Sequence, residues 1–335
     1  MSTDKHNVIG VDIGGTKIAF VLIDSEGNAI QTIRVPTQLS DEPELILSKI
    51  GQQINLLACN NHSEIMGIGI AAPGLIDPQN GVVKNAVNLN WNEVGVIDEV
   101  RKSVSLSVPI YMQRDTAAET LGEYYFGAGR DCQNFVFLGI GTGFGAGALT
   151  SGHLLTGANN QALEIGHLSI DRNGPACGCG NRGCIETLLS GNGLINRATA
   201  LYAGSNERNY DVLDHSITTD KVISLADDHD PIAESLIHQM AGPLGLVCAI
   251  LKTVLSPEKI IIGGGLGKAL FDYISGPAEA EMNLRTLRVD DKKYKTGLVK
   301  SNLETSAMGA AAMVWYFNDL LPEIIKQEIN QKEAV

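Results

Sequence analysis

The sequence lacks an excess of basic residues. Its 335 residues include 25 Lys and Arg against 38 Asp and Glu, which gives a formal net charge of −13 at pH 7. A nucleic-acid-binding protein needs a basic face that displaces counterions from phosphate groups, so we expect no nucleic-acid partner. The acidic balance does not exclude a small phosphorylated ligand, because backbone N–H groups and a bound cation can hold phosphate locally.

Long apolar runs are also missing from the start of the chain. The first apolar run, residues 8–13, is far too short to span a membrane and does not resemble a signal peptide. We therefore expect a cytoplasmic protein without a membrane partner, in which thiols stay reduced. The six Cys are then poor candidates for a disulfide framework. Three of them crowd between Cys177 and Cys184, which needs another explanation.

The chain is long enough for two domains, and its pattern contains a weak internal repeat. An apolar strand over 8–13, a Gly/Thr turn and a second strand over 18–23 open the chain. The same layout returns at 135–140 and runs through a glycine-rich turn at 141–145. Further strands are predicted over 29–35, 66–71, 108–112 and 259–262. Apolar spacing predicts helices over 41–57, 116–125, 191–203, 231–255 and 306–317.

The first turn carries a possible phosphate site. Asp12 ends a buried strand, and Gly14, Gly15, Thr16 and Lys17 follow it. Glycines let main-chain N–H groups approach phosphate oxygens closely, and Asp12 could hold Mg²⁺ through water. An ordinary hairpin turn with an Asp cap explains the pattern equally well. The spacing is not that of a Walker A loop.

Two further glycine turns follow predicted strands. Neither has a clean G-x-G-x-x-G pattern, so a dinucleotide site is a weak hypothesis. Three glycine turns in a twofold-repeated architecture fit better with two lobes that close on a nucleotide. The residues of the two later turns are Gly141, Thr142, Gly143, Gly263, Gly264 and Gly265.

A zinc site is the strongest single prediction. His167, Cys177, Cys179 and Cys184 lie within one glycine-rich loop. One imidazole and three thiolates match a closed, tetrahedral structural Zn²⁺ site. The alternative is a loop of reduced thiols beside a core His. The spacing differs from that of a nucleic-acid-binding zinc finger.

Asp115 is a candidate general base. It follows a predicted strand and begins a predicted helix, so its carboxylate would project from a strand end. Phosphoryl transfer to an alcohol needs a carboxylate that accepts the hydroxyl proton and orients the nucleophile. Asp before a helix is also an ordinary N-cap, which requires no chemistry.

These motifs, in this order, resemble the ROK family (repressors, open reading frames and sugar kinases) of the actin–hexokinase superfamily. The resemblance covers nearly the whole chain. It rests on the segments 12–17 (DIGGTK), 67–74 (GIGIAAPG), 88–91 (NLNW), Asp115, 141–143 (GTG), 164–167 (EIGH), 177–186 (CGCGNRGCIE) and 261–265 (IIGGG). The Glu-x-Gly-His and C-x-C-G-x-x-G-C combination is the most specific part.

The resemblance implies an α/β, two-lobed, actin/hexokinase-like (ribonuclease H-like) duplicated fold with a cleft between the lobes. Residues 1–115 would form the N-terminal lobe, completed by a C-terminal helix over 306–335. Residues 116–305 would form the larger lobe with the zinc-binding loop. A homodimer or homotetramer is also expected from the family.

The resemblance also implies the roles of the site residues. Asp115 would be the base for the sugar hydroxyl, and the three glycine turns would wrap ATP with Mg²⁺. His167 would place one ring nitrogen on zinc and the other on the sugar. The residues expected to contact the sugar are Gly74, Asn90, Arg114, Glu164, His167 and Glu186.

Two positions depart from the family pattern. Arg114 stands where the family usually has an Asn that touches sugar hydroxyls, and Leu163 stands where it usually has Gly. Arg is longer, always charged and only a donor. Its guanidinium could face the pocket and bind Glu164, Glu186 or the substrate, or it could face solvent.

The predicted reaction is therefore phosphorylation of a sugar hydroxyl by ATP, most simply glucose O6. The alternatives are a kinase for another hexose, an N-acetylhexosamine or a cyclitol. A sugar-responsive regulator is a weaker hypothesis, because only seven residues precede the first strand and the charge is acidic. A sugar-binding protein without catalysis is opposed by Asp115 and the three glycine turns.

Overall fold

The computed structural model describes residues 6–59, 64–204, 217–288 and 295–320. They form two compact units. The first contains the described residues up to Asp131, those of 154–162 and those from Asn302 onward; the second contains 132–153 and 163–301. The first unit thus extends past the predicted boundary at Asp115. The predicted part of the C-terminal helix beyond residue 320 lies outside the described residues.

The first unit contains two β-sheets. One has five strands in the order β3-β2-β1-β4-β8, in which β2 is antiparallel to β1 and to β3. β4 is parallel to β1, and β8 is parallel to β4. The other is a three-stranded antiparallel sheet of β5, β6 and β7. The strands are β1 (His6–Ile13), β2 (Lys17–Ile23), β3 (Ala29–Pro36), β4 (Glu64–Ala72), β5 (Leu75–Asp77), β6 (Val82–Ala86), β7 (Trp91–Gly95) and β8 (Ile110–Arg114).

The main sheet of the second unit repeats this topology. Its order is β11-β10-β9-β12-β13, with β10 antiparallel to β9, β12 parallel to β9 and β13 parallel to β12. The internal repeat expected from the two strand–turn–strand series is therefore present as a repeat of strand order. The strands are β9 (Phe135–Ile140), β10 (Phe144–Thr150), β11 (His153–Leu154), β12 (Lys259–Gly263) and β13 (Gly297–Lys300).

The described helices divide between the two units in the same way. Helices α1, α2, α3 and α10 belong to the first unit, and α4 to α9 belong to the second. Their bounds are α1 (Pro43–Cys59), α2 (Val96–Ser103), α3 (Asp115–Tyr125), α4 (Glu186–Leu189), α5 (Gly191–Gly204), α6 (Thr219–Asp227), α7 (Pro231–His238), α8 (Ala241–Leu255), α9 (Gly265–Arg285) and α10 (Ser306–Phe317).

The helical stretch predicted over 231–255 is present as two helices, α7 and α8. Gln239 and Met240, which join them, keep right-handed helical backbone angles. By length and composition, the stretch Pro231–Leu255 is apolar enough to cross a membrane, because an 18-residue window within it has a mean hydropathy of 1.3. Half of that window is buried within the structure. The core helix of a globular unit has the same property, so the stretch is weak evidence for a membrane segment.

Helix α10 lies directly on the first sheet. Gly10 of β1 is paired with Gly69 of β4, and together they leave a shallow stripe on one face. A Cβ atom at Gly10 would stand 2.1 Å from the carbonyl oxygen of Ala307, and one at Gly69 would stand 1.8 Å from that of Ala310. On its other side, a Cβ at Gly309 would stand 2.2 Å from the carbonyl oxygen of Ala118 in α3. This close packing ties α3 to the first unit and accounts for the shifted domain boundary.

Candidate active site

The first glycine turn joins β1 to β2. The Gly14 N–H donates to the carbonyl oxygen of Lys17 at 3.0 Å, and the Thr37 hydroxyl donates to that of Gly14 at 2.7 Å. A Cβ at Gly15 would stand 3.0 Å from the carbonyl oxygen of Asn88. The side chains of Thr16 and Lys17 are exposed. Contacts with Thr37 and Asn88 therefore fix the turn on one side, and its residues Thr16 and Lys17 are accessible to a ligand on the other.

Asp12 lies at the base of this turn. Burial raises the pKa of its carboxyl group, and this effect outweighs the hydrogen bond donated by the Ser306 hydroxyl and the attraction of Lys17. Burial disfavours the charged form of a carboxyl group, whereas a nearby cation favours it. The residues present thus suit a site where a divalent cation, through its water shell, would restore the charged form.

We expect Asp12→Asn to raise the melting temperature at neutral pH in magnesium-free buffer. An acid with a raised folded pKa stabilises the fold below its unfolded pKa, about 3.9, and this stabilisation is lost as pH rises through the folded pKa. The advantage of the variant should therefore grow between pH 4 and pH 8 in thermal scans. A variant that melts lower than wild type throughout this range would contradict the expectation.

The second glycine turn joins β9 to β10 and is anchored from α5. The N–H groups of Gly191 and Asn192 donate to the carbonyl oxygens of Gly141 and Thr142 at 2.8 and 3.2 Å. A Cβ at Gly141 would meet no heavy atom of the described residues within 4 Å. Packing in this unit does not require glycine there, so the space beside it is open to a ligand.

Glu186 fastens the other end of this turn. Its Oε2 accepts the Phe144 N–H at 3.0 Å, and a Cβ at Gly143 would stand 2.9 Å from the same oxygen. Its Oε1 lies 3.9 Å from Cys177 Sγ. Glu186 therefore links the second glycine turn to the predicted metal cluster.

The third glycine turn leads from β12 into α9, which has 21 residues. Gly264 has φ 74°, and a Cβ there would stand 2.4 Å from the carbonyl oxygen of Ile140. Only glycine fits this position without displacement. The turn ends at the start of a long helix, where N–H groups without intrahelical partners favour an anion.

We expect Gly264→Ala to lower the free energy of unfolding by at least about 1–3 kcal/mol, because it combines a left-handed backbone with a clash. Gly297, in β13, is the control, since a Cβ there would meet no heavy atom of the described residues within 4 Å apart from its chain neighbours, and its φ is not positive. Gly297→Ala should change the free energy of unfolding by less than about 1 kcal/mol. Urea unfolding measures both variants, and equal stability of the two would contradict the expectation.

The four predicted zinc ligands come together. Their ligand atoms all lie within 4.8 Å of one another. His167 Nδ1 lies 3.7 Å from Cys177 Sγ, and Cys179 Sγ lies 3.7 Å from Cys184 Sγ. Ligands on a tetrahedron around Zn²⁺, at ~2.3 Å for sulfur and ~2.1 Å for nitrogen, stand about 3.6–3.8 Å apart. The donor set and its spacing fit zinc.

The thiols of this cluster have shifted pKa values. Burial raises the pKa of Cys184 to about 12 and also raises the pKa of Cys177, whereas the Asn181 N–H lowers the pKa of Cys179. Buried thiols stay protonated without a compensating charge. A metal ion reverses this preference, because it binds the thiolate form.

His167 is predicted to bind zinc through one ring nitrogen and the sugar through the other. Nδ1 faces the cluster, which leaves Nε2 for another partner. The backbone N–H of His167 donates to the carbonyl oxygen of Glu164 at 3.1 Å, across a 3-10 turn over Ile165–His167. Glu164, His167 and Glu186 thus belong to the metal-binding part of the second unit.

Asp115 stands at the corner between β8 and α3. It is the first residue of the helix, and Arg114 occupies the N-cap position. Asp115 Oδ1 accepts the N–H of Thr116 at 2.7 Å. The interpretation of Asp115 as an ordinary N-cap residue is therefore wrong, although an acidic residue in a first turn is also favoured by the helix dipole.

Arg114 is buried, with 5% of its surface exposed. One Nη donates to the carbonyl oxygen of Ala162 at 2.7 Å. The solvent-facing alternative is therefore wrong. Gln113 and Asn160 are also buried, and neither was predicted as a site residue. The signal available in the sequence was a polar residue, Gln113, directly after the predicted strand 108–112.

Gly74 and Asn90 lie at two corners of the first unit. Gly74 separates β4 from β5 with φ 86°, and Asn90 follows the 3-10 turn Val87–Leu89 with φ 55°. Both are exposed. Each can present its backbone to a ligand, and Asn90 can also present its amide.

Comparison with known proteins decides the family. Residues 8–316 match the sequence profile described as the ROK family. The chain belongs to the ROK family. A glucokinase of Halalkalibacterium halodurans is 35% identical over 268 residues, which cover 78% of this chain and 81% of the relative. The predicted family is confirmed.

Solved ROK structures share the fold. A ROK family glucokinase from Streptomyces griseus, in complex with glucose and AMPPNP, matches with a TM-score of 0.78 and 28% identity, over 92% of this chain and 98% of its own. A ROK family transcriptional regulator, a homologue of the Escherichia coli MLC protein, matches with a TM-score of 0.81 and 25% identity, over 96% and 80%. The actin/hexokinase-like fold class is confirmed.

Proposed function

We propose that this ROK protein is an ATP-dependent sugar kinase that phosphorylates a hexose, with glucose as the first candidate and O6 as the acceptor. The observation that carries the proposal is the match, over most of both chains, to a glucokinase crystallised with glucose and an ATP analogue. Two features of the chain support it: a carboxylate at a strand–helix corner, which can accept a hydroxyl proton, and three glycine turns at strand ends, whose N–H groups can hold phosphate.

Asp115 acts as the general base. It accepts the proton of the sugar hydroxyl as that oxygen bonds to the γ-phosphorus of ATP, and the bond from the γ-phosphorus to the β–γ bridging oxygen breaks to release ADP. The first position of α3 suits this role, because the helix dipole favours a charged carboxylate there and leaves it ready to accept a proton.

The proposed sugar ligands of the second unit are Glu164, Glu186 and Nε2 of His167, and the two carboxylates accept hydrogen bonds from ring hydroxyls. In the first unit, the candidates are Asn90 and the backbone of Gly74. The left-handed backbone at Gly74 and Asn90 forms tight, exposed corners, because Gly adopts a positive φ freely and Asn tolerates it.

The nucleotide is held by main-chain N–H groups of the turns at 14–17, 141–143 and 263–265. The open space beside Gly141 and the helix start after Gly264 support this assignment. Mg²⁺, when bound with ATP, would neutralise charge on the β- and γ-phosphates, and Asp12 would hold it through water.

His167, Cys177, Cys179 and Cys184 hold a structural Zn²⁺. Bound through Nδ1, it would fix the ring orientation and tautomer of His167 and so aim Nε2 at the sugar. Zinc therefore supports the substrate site without taking part in phosphoryl transfer.

A panel of sugars tests the proposal. ADP release with ATP and Mg²⁺ is measured for glucose, other hexoses, N-acetylhexosamines and a cyclitol, with Asp115→Asn as the control for contaminating kinases. Glucose should give the highest kcat/KM. If another sugar does, the alternative kinase specificity holds. If no sugar stimulates ADP release by wild type above the rate measured without sugar, the kinase proposal fails.

A sugar-responsive regulator is the second candidate, because a ROK transcriptional regulator matches the fold with a TM-score of 0.81. The net charge of −13 opposes nucleic-acid binding by this chain. Sugar binding by calorimetry without turnover would favour the regulator.

We also propose that the protein is a cytoplasmic homodimer or homotetramer without a nucleic-acid or membrane partner. Closed symmetric assemblies are the usual form of soluble oligomers. Light scattering during size-exclusion chromatography measures the mass directly, and a single species of monomer mass would contradict this.

A further inference from the structure

The end of β8 is joined to the segment 154–162 by two buried side chains. Gln113 Nε2 donates to Asn160 Oδ1 at 3.2 Å, and Gln113 Oε1 accepts the Arg114 N–H at 3.2 Å. The Arg114 guanidinium donates to the carbonyl oxygen of Ala162 at 2.7 Å. Gln113, Arg114 and Asn160 are 4%, 5% and 9% exposed, so these contacts are shielded from water.

Two residues next to these contacts have a left-handed backbone. Asn160 has φ 56° and Leu163 has φ 69°. Asn tolerates the left-handed region because its short side chain bonds locally, whereas Leu does not. A large residue in this conformation persists only where its surroundings hold it.

The hydrogen bond from Arg114 restrains the peptide bond that precedes Leu163. The carbonyl oxygen of Ala162 belongs to the same rigid peptide plane as the N atom of Leu163. A charge-assisted hydrogen bond to that oxygen fixes the orientation of the plane and so restrains φ of Leu163. Glu164, a proposed sugar ligand, is the next residue.

We propose that Arg114 is a positioning residue for the sugar site: its guanidinium holds the Ala162–Leu163 peptide so that Leu163 stays left-handed and directs Glu164. This rests on the proposed function, in which Glu164 binds a sugar hydroxyl. The two departures from the family pattern, Arg114 and Leu163, then form one coupled pair. Glycine at the second position would adopt the left-handed backbone freely and would need no such hydrogen bond.

A double-mutant cycle tests the coupling. It compares wild type, Arg114→Asn, Leu163→Gly and the double variant by urea unfolding and by steady-state kinetics. Arg114→Asn alone should raise the KM for sugar about tenfold with little change in the KM for ATP, as expected for lost positioning support. In the Leu163→Gly background, the same change should alter the KM for sugar by less than about threefold, because the turn then forms without Arg114.

Arg101, which is exposed, controls for the loss of an Arg–carbonyl hydrogen bond elsewhere in the unit. Its guanidinium also donates to a backbone carbonyl at 2.7 Å, that of Val108, in the same unit. Arg101→Asn should combine additively with Leu163→Gly in both measurements. Arg114→Lys, which keeps the charge but loses the planar fork, should give an intermediate KM for sugar.

The outcomes separate the two proposals. Additive unfolding and kinetic effects of Arg114→Asn and Leu163→Gly would overturn the coupling. Coupled unfolding with an unchanged KM for sugar would show that the contact is structural only, which also overturns the positioning role. If wild type phosphorylates no sugar, the proposed function fails, and the unfolding cycle still decides whether Arg114 holds Leu163.

Discussion

Asp115→Asn should reduce kcat by about 10²–10⁴-fold while sugar binding survives, because Asn keeps the shape and the acceptor oxygen but cannot take the hydroxyl proton. The Asn carbonyl can still accept the Thr116 N–H, which Asp115 Oδ1 accepts at 2.7 Å, so the start of α3 should be preserved. Coupled ADP release gives kcat, and calorimetry gives the sugar affinity.

Asp230 provides the matched control for this change. It caps α7, with Oδ1 accepting the N–H groups of Ile232 and Ala233 at 3.0 and 2.8 Å. Asn caps a helix about as well as Asp, so Asp230→Asn should leave kcat within about twofold of wild type. Near-normal kcat in a folded Asp115→Asn variant would show that Asp115 has only a structural role at the start of α3.

Local patterns in the sequence predicted all five strands of the first repeat and, with bounds, β9 and β12 of the second, but not β11 or β13. The predicted strand over 135–140 and the predicted helix over 306–317 have the bounds that the structure gives to β9 and α10. In both, a continuous apolar run ends at a turn residue, so neighbouring residues are enough to define the element.

Helix α9 was not predicted because its glycines and Pro277 are residues that usually interrupt helices. The helix forms because Leu266, Leu270 and Ile274 repeat every four residues and bury one face.

The small sheet of β5, β6 and β7 was missed for a different reason. Its strands are only three to five residues long, so alternation has too little length to show.

The zinc ligands and Arg114 show where sequence reasoning succeeds and where it ends. Three of the four ligands lie within eight residues, so their chemistry is visible as a local pattern. The partner of Arg114 is a backbone carbonyl 48 residues away. Any residue carries such an oxygen, so the sequence marks neither the partner nor the direction of the guanidinium.

Cys184→Ser should abolish zinc binding and weaken the sugar site. The purified wild-type protein should contain about one zinc per chain, since one closed site has four ligands. Loss of one buried thiolate should reduce the zinc content to near zero and lower the melting temperature, because metal binding contributes to folding. The KM for sugar should rise at least ~10-fold, because His167 loses its fixed orientation. Elemental analysis and thermal unfolding check these outcomes.

Cys248→Ser distinguishes zinc loss from the general effect of placing a hydroxyl in a core. Cys184 and Cys248 are both 0% exposed, and only Cys184 belongs to the four-ligand cluster. Both variants should lose some stability, since each buries a new polar group. Only Cys184→Ser should lose zinc and raise the KM for sugar, and a chelator should do the same to wild type. Zinc-free wild type, purified without chelators, that binds sugar normally would contradict a supporting role for zinc.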